Sequence, residues 1–109
     1  MAHLSLSFFG PFHVVHDGKV ITAFRSSKNQ ALLAWLTLES KRPVSRASVA
    51  GLCWPDLPEE SARLNFRQAL FQLRSLLQSE GEAEDKAHLL VNTQSVQFNP
   101  NSDHAADVL

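Results

Sequence analysis

From Glu59 to about Gln78 the chain spaces Ala62, Phe66, Ala69, Leu70, Leu73, Leu76 and Leu77 at intervals that follow an i, i+4, i+7, i+8 rhythm. That rhythm lays one apolar stripe along a long helix, and the stripe must be buried against other elements of the chain. A chain of 109 residues is long enough to close one hydrophobic core around such a helix and too short for a second full domain. The fold is therefore set by what surrounds this stripe.

The first third reads as strands. His3-Leu4-Ser5-Leu6-Ser7-Phe8-Phe9 alternates with period two, Gly10-Pro11 turns it, and Phe12 to Val15 is a second apolar run. His16-Asp17-Gly18-Lys19 before Val20-Ile21 holds the Asp-Gly pair of a tight hairpin. From Ser27 the period changes to helical, with Ala31, Leu32, Trp35 and Leu36 recurring at helical spacing and Ser27 with Gln30 matching a capping box. This first helix reaches about Leu38, and Lys41-Arg42-Pro43 breaks it.

Ser45 then offers an N-cap, with Val44 and Val49 placed as a hydrophobic staple, for a second helix from about Arg46 to Cys53. Trp54-Pro55-Asp56-Leu57-Pro58 is a short connection in which Asp56 with Glu59 can cap the third helix while Pro58 is tolerated in its first turn. After an acidic loop at Gly81 to Lys86, Leu89-Leu90-Val91 and Val96-Gln97-Phe98 flank a turn-rich Asn92-Thr93-Gln94-Ser95 and read as a hairpin. Asn99 to Leu109 has little to pack with. The expected class is α+β, and the order of N-terminal antiparallel β-meander, three helices and C-terminal β-hairpin is that of a winged helix-turn-helix.

Composition narrows the chemistry. The apolar fraction of 44% and charged fraction of 19% suit a soluble globular protein, and the single cysteine, Cys53, has no internal partner for a disulfide, which fits a reducing compartment. No apolar run approaches the ~20 residues that span a bilayer and the N-terminus lacks a basic-then-apolar leader, so the expected location is cytoplasmic, away from membranes. Gly-rich phosphate loops, paired carboxylates and triad spacings are absent from the sequence, so neither an enzyme, a cofactor nor a small-molecule ligand is expected. Cys53 between Leu52 and Trp54 reads as a small buried hydrophobe, Trp35 and Trp54 as packing residues, and His13 and His16 as residues on opposite faces of a strand, unable to share a metal.

The net charge of −1 conceals an asymmetry. Residues 19–74 carry nine basic side chains against four acidic ones, whereas residues 75–109 carry Lys86 against six acids. A basic centre beside an acidic tail points toward a polyanionic partner. At about 100° per residue, Arg63, Arg67 and Arg74 fall on one flank of the third helix and Ser61, Asn65, Gln68 and Gln72 on the other. Arginine clamps phosphates or reaches guanine N7 and O6, and Asn or Gln amides pair with adenine, so this helix carries both positioning and base-reading chemistry. Leu64 and Phe71 stand nearly opposite the core stripe. A thymine-methyl contact, an apolar protein partner, or coverage by the hairpin or the helix-two connection each account for them.

Five stretches, in order, carry a resemblance. They are Leu6-Ser7-Phe8-Phe9-Gly10-Pro11-Phe12-His13-Val14, Lys28-Asn29-Gln30-Ala31-Leu32-Leu33-Ala34-Trp35-Leu36, Arg42-Pro43-Val44-Ser45-Arg46, Leu52-Cys53-Trp54-Pro55-Asp56 and Ala62 to Arg74. Together they resemble the antibiotic-regulatory-protein type of bacterial transcriptional activators. The resemblance implies an OmpR-type winged-helix DNA-binding domain over residues 1–100, with 101–109 starting a linker to an all-helical activator domain. It implies a recognition helix in the major groove of double-stranded DNA, a second copy on tandem direct repeats, and contact with RNA polymerase.

The residues expected to meet DNA are Arg63, Asn65, Arg67, Gln68, Phe71, Gln72 and Arg74, with Arg46 and Lys41 extending the basic strip. Two departures stand out: the wing ends in Val96-Gln97 where the family carries a Tyr-Arg pair, and the acidic run Glu80 to Asp85 precedes it. With the apolar Leu64 and Phe71, they motivate the alternative, a winged-helix protein–protein interaction module without DNA binding.

Overall fold

The computed structural model describes residues 3–8, 12–78 and 87–107. In chain order the elements are β1 (Leu4–Ser7), β2 (His13–His16), β3 (Lys19–Val20), α1 (Ser27–Leu38), β4 (Val44–Ser45), α2 (Arg46–Cys53), α3 (Glu59–Leu77), β5 (Leu89–Val91), β6 (Ser95–Phe98) and β7 (His104–Asp107). One sheet has the order β3-β2-β1-β7 and the other β4-β6-β5, giving a small α+β domain with three helices among the described residues. The expected Gly10-Pro11 turn and the acidic loop at 81–86 lie outside the described residues.

The period-two reading of the first strand holds: Leu4 and Leu6 are buried while Ser5 and Ser7 are half-buried. β1 pairs antiparallel with β2 from Leu4↔His16 to Ser7↔His13. Between β2 and β3, Asp17 at φ 53° and Gly18 at φ 79° form the turn. Two consecutive positive φ angles give a two-residue hairpin the twist that its strands require, and a side chain at Gly18 would be strained there.

The last strand departs from the sequence reading. His104–Asp107 runs parallel to β1, from Leu4↔His104 to Ser7↔Asp107, so part of the stretch read as having little to pack with is an edge strand of the first sheet. Leu4 N–H donates to the Asp103 carbonyl at 3.0 Å, and His3 Nδ1 meets Asp103 Oδ1 at 2.7 Å. The hydrogen bond from His3, reinforced by nearby histidine charge, holds the Asp103 carboxyl below its ordinary value. The rings of His16, His88, Phe98 and His104 cross the junction of the two sheets, with successive centroids 5.6, 6.3 and 4.8 Å apart.

Two helix starts need correction. α1 is capped by Ser26, one residue before the expected Ser27; its backbone is extended and its Oγ accepts from Asn29 N–H at 3.2 Å. Gln30 closes no capping box, because its amide reaches across to the Phe12 carbonyl at 3.2 Å. At α3 the cap position is Pro58 and no side chain caps it, so Asp56 does not act there as expected. Glu59 and Glu60 in the first turn oppose the positive end of the helix dipole instead. α2 starts as read, with Ser45 Oγ accepting from Ser48 N–H at 3.3 Å.

The α3 stripe of Ala62, Phe66, Ala69, Leu70, Leu73 and Leu77 is buried, whereas Leu76 is half-buried at its margin. Its partners are Leu32, Leu33 and Leu36 of α1, Val49 and Ala50 of α2, Leu4, Leu6 and Val14 of the first sheet, and Val96 and Phe98 of β6. Full burial of each large apolar side chain contributes roughly 1.5–3 kcal/mol, so this one stripe anchors the domain. Trp35 and Trp54 pack half-buried against the same core. No helix among the described residues is long and apolar enough to cross a membrane.

Candidate nucleic-acid interface

Because α3 commits one stripe to the core, its opposite face is presented outward along the whole helix. Arg63, Leu64, Arg67, Gln68, Phe71, Arg74 and Ser75 are exposed, and Asn65 and Gln72 are half-buried at the margin. Leu64 and Phe71 remain 51% and 65% accessible, so neither the described hairpin nor the α2–α3 connection covers them.

The three arginines, adjacent on a helical wheel, have different surroundings. Arg63 is held by Glu59 one turn earlier, Nη2 to Oε1 at 3.1 Å, in an exposed pair of small energetic weight. Arg67 opens into a cleft of about 500 Å³ lined by Arg25, Gln68, Phe71, Gln72 and Ser75. Arg74 lines a separate groove of about 480 Å³ that runs under the β5–β6 hairpin past Pro43, Val91, Asn92 and Gln97. Among the described residues Arg25, Arg67 and Arg74 have no ion-pair partner, and none of the side chains lining the cleft around Arg67 is a carboxylate.

The amides divide as well. Gln68 projects to solvent with no hydrogen bond among the described residues. Gln72, expected to read bases beside it, is engaged at both ends: Oε1 accepts from Asn29 Nδ2 and Nε2 donates to the Ala23 carbonyl at 2.9 Å. It fastens α3 to the start of α1 and to the segment before it.

No family model, curated protein or solved structure matches this chain. What the site can do rests on its own geometry.

Arg46, at the start of α2, is half-buried rather than free. Its guanidinium lies 5.8 Å from the Phe66 ring centroid, Nη1 donates to the Asn92 carbonyl at 2.7 Å, and its backbone N–H donates to the Gln94 carbonyl at 2.9 Å. Arg46 thus ties α2 and α3 to the tip of the hairpin. The tip is itself ordered by Asn92, whose Oδ1 accepts from Gln94 and Ser95 N–H at 2.8 and 2.7 Å. Pairing of β4 with β6, Val44↔Val96 and Ser45↔Ser95, joins the hairpin to the residues that begin α2. Gln97 Nε2 donates to the Ser40 carbonyl at 2.8 Å.

Lys41 is exposed on the α1–α2 connection, with no partner among the described residues. Lys28 donates to the Cys53 carbonyl and lies 5.7 Å from the Trp54 ring, so its charge sits at the C-terminal end of α2, where carbonyls are otherwise unpaired. Cys53 is half-buried, and burial pushes its thiol pKa up against the opposing charge of Lys28. His13 is exposed and His16 is half-buried against His88, as their separation on β2 requires. The residue missed from sequence is Arg25. It belongs to the basic central segment but lies in no periodic pattern, and only the fold brings it beside α3.

Proposed function

We propose that this chain is a winged helix-turn-helix domain that binds double-stranded DNA with sequence specificity, as part of a bacterial transcriptional activator. In this reading α2 and α3 form the helix-turn-helix pair, α3 enters the major groove and the β5–β6 hairpin is the wing. The observation that carries it is the outer face of α3, where Arg67 and Gln68 stand beside Arg25 in a cleft that holds no carboxylate, and have no side-chain partner, among the described residues. A cation for phosphate or guanine and an amide for adenine are then adjacent on one exposed helix. The family resemblance extends the proposal to tandem direct repeats occupied by two copies and to contact with RNA polymerase.

Selection of duplexes from a randomised pool tests the reading. It is supported by recovery of a common site whose affinity falls on Arg67→Ala or Arg74→Ala, by about 1–3 kcal/mol where the side chain reads a base. Unaltered affinity for both variants at low salt removes this face from the proposal. The exposed Phe71 and Leu64 favour a second reading, a protein-docking module. Thymine-to-deoxyuridine replacement separates the two: if Phe71 meets a thymine methyl, the replacement weakens wild type and leaves Phe71→Ala unaffected, whereas a docking module recovers no site at all.

A further inference from the structure

Arg25 lies between two anchored neighbours. On one side the Ala23 carbonyl is held by Gln72 Nε2 at 2.9 Å; on the other Ser26 caps α1, its Oγ accepting from Asn29 N–H at 3.2 Å. The two anchors are joined, because the Asn29 side-chain amide, 5% exposed, donates to Gln72 Oε1. The segment carrying Arg25 is thereby bolted to the middle of α3 through a polar chain from Ser26 through Asn29 and Gln72 to Ala23. Arg25 itself is exposed, has no ion-pair partner among the described residues, and lines the same cleft as Arg67, Gln68 and Phe71. Among the described residues the cleft thus has a guanidinium from α3, another from the β3–α1 connection, an aromatic ring and no acid, which complements a polyanion.

We infer that Arg25 is a DNA phosphate contact outside α3, and that Gln72 is a positioning residue that aims it. This rests on the DNA-binding reading above and adds to it a contact from the segment between β3 and α1. It also gives Gln72 a different role from the base-reading one expected from its spacing with Gln68. Two cations approaching from different elements fix the helix's register on the duplex backbone, while Gln68 is left to the bases.

The test uses the whole chain and two probes, a duplex recovered by wild type from the randomised pool and a duplex of unrelated sequence, titrated by fluorescence anisotropy from about 50 to about 200 mM salt. Each lost phosphate contact lowers the slope of log affinity against log salt by about 0.9, so the deficit of Arg25→Ala relative to wild type should shrink about 3.5-fold across that range. Base preference should be unchanged, and Arg25→Lys should keep most of the slope. Gln72→Ala should lower the slope in the wild-type background and not further in Arg25→Ala. A wild-type slope for Arg25→Ala overturns the inference while leaving the DNA-binding reading intact. Altered base preference with an intact slope for Gln72→Ala overturns the positioning role. Failure of wild type to recover any duplex from the pool, together with no binding to the unrelated duplex, overturns both readings. Arg25 is exposed, so its variants decide the phosphate contact even where Gln72→Ala unfolds.

Discussion

Replacing Arg46 by Ala separates a tether from a DNA contact. The substitution removes a charge-assisted hydrogen bond to the Asn92 carbonyl and a guanidinium placed over Phe66, and leaves the Arg46 N–H to Gln94 bond in place. A hydrogen bond from a charged donor contributes about 1.5 kcal/mol at the low end that suits an exposed site, and a cation–π contact there about 0.5–1 kcal/mol. The two are not independent, since one guanidinium makes both, so the expected loss is about 2 kcal/mol. For a domain of this size that lowers Tm by about 10 °C, measurable by circular dichroism or calorimetry. A cycle with Phe66→Leu isolates the ring contact as a coupling of about 0.5–1 kcal/mol. The reasoning fails if Arg46→Ala melts with wild type while losing about one unit of salt slope on DNA, which would make Arg46 a phosphate contact and not a strut.

Other expectations follow from the same structure. Gln68→Ala should flatten base preference at one or two positions of a selected site, by roughly 1–3 kcal/mol of discrimination, with its salt slope intact; retention of the full preference would move base reading to Arg67 or to DNA shape. For Asp103 the folded pKa lies below its ordinary value, so the His3–Asp103 contact stabilises above the ordinary carboxylate range and its contribution is lost as pH falls through the folded pKa. Asp103→Asn should therefore lower Tm at neutral pH and converge with wild type in acid; a constant gap down to low pH would refute this. Cys53, with its raised pKa, should react with iodoacetamide at pH 8 more slowly than a free peptide cysteine, and labelling at the peptide rate would contradict the burial described.

What could be read from the sequence was what local chemistry decides. The α3 stripe, the Asp17-Gly18 turn and the Ser45 cap each depend on residues within a few positions of one another, and each was legible. β7 was not, because His104-Ala105-Ala106-Asp107 has no apolar alternation of its own and becomes a strand only by pairing with β1 about 100 positions earlier. β4 is two residues long and exists through its partner β6. Gln72 shows the same limit at the candidate site. On a helical wheel it is one amide among several at the solvent boundary, and only the fold brings Asn29 and the Ala23 carbonyl to the two ends of the group. Arg63, Arg67 and Arg74 share a flank by periodicity, yet what lies across from each differs, a carboxylate for Arg63, Arg25 for Arg67 and the hairpin for Arg74.

The parallel alignment of β1 with β7 has a mechanical side. Residue 3 enters β1 at one end of the paired strands and residue 107 leaves β7 at the other. A pull between these two points acts along the strands in opposite senses, so it loads the interstrand hydrogen bonds and the His3–Asp103 contact together in shear. An antiparallel return would have put both points at the same end and let the bonds open one after another, like a zipper. Force arriving through residue 107 is therefore resisted by the whole width of the pair before it can reach α3.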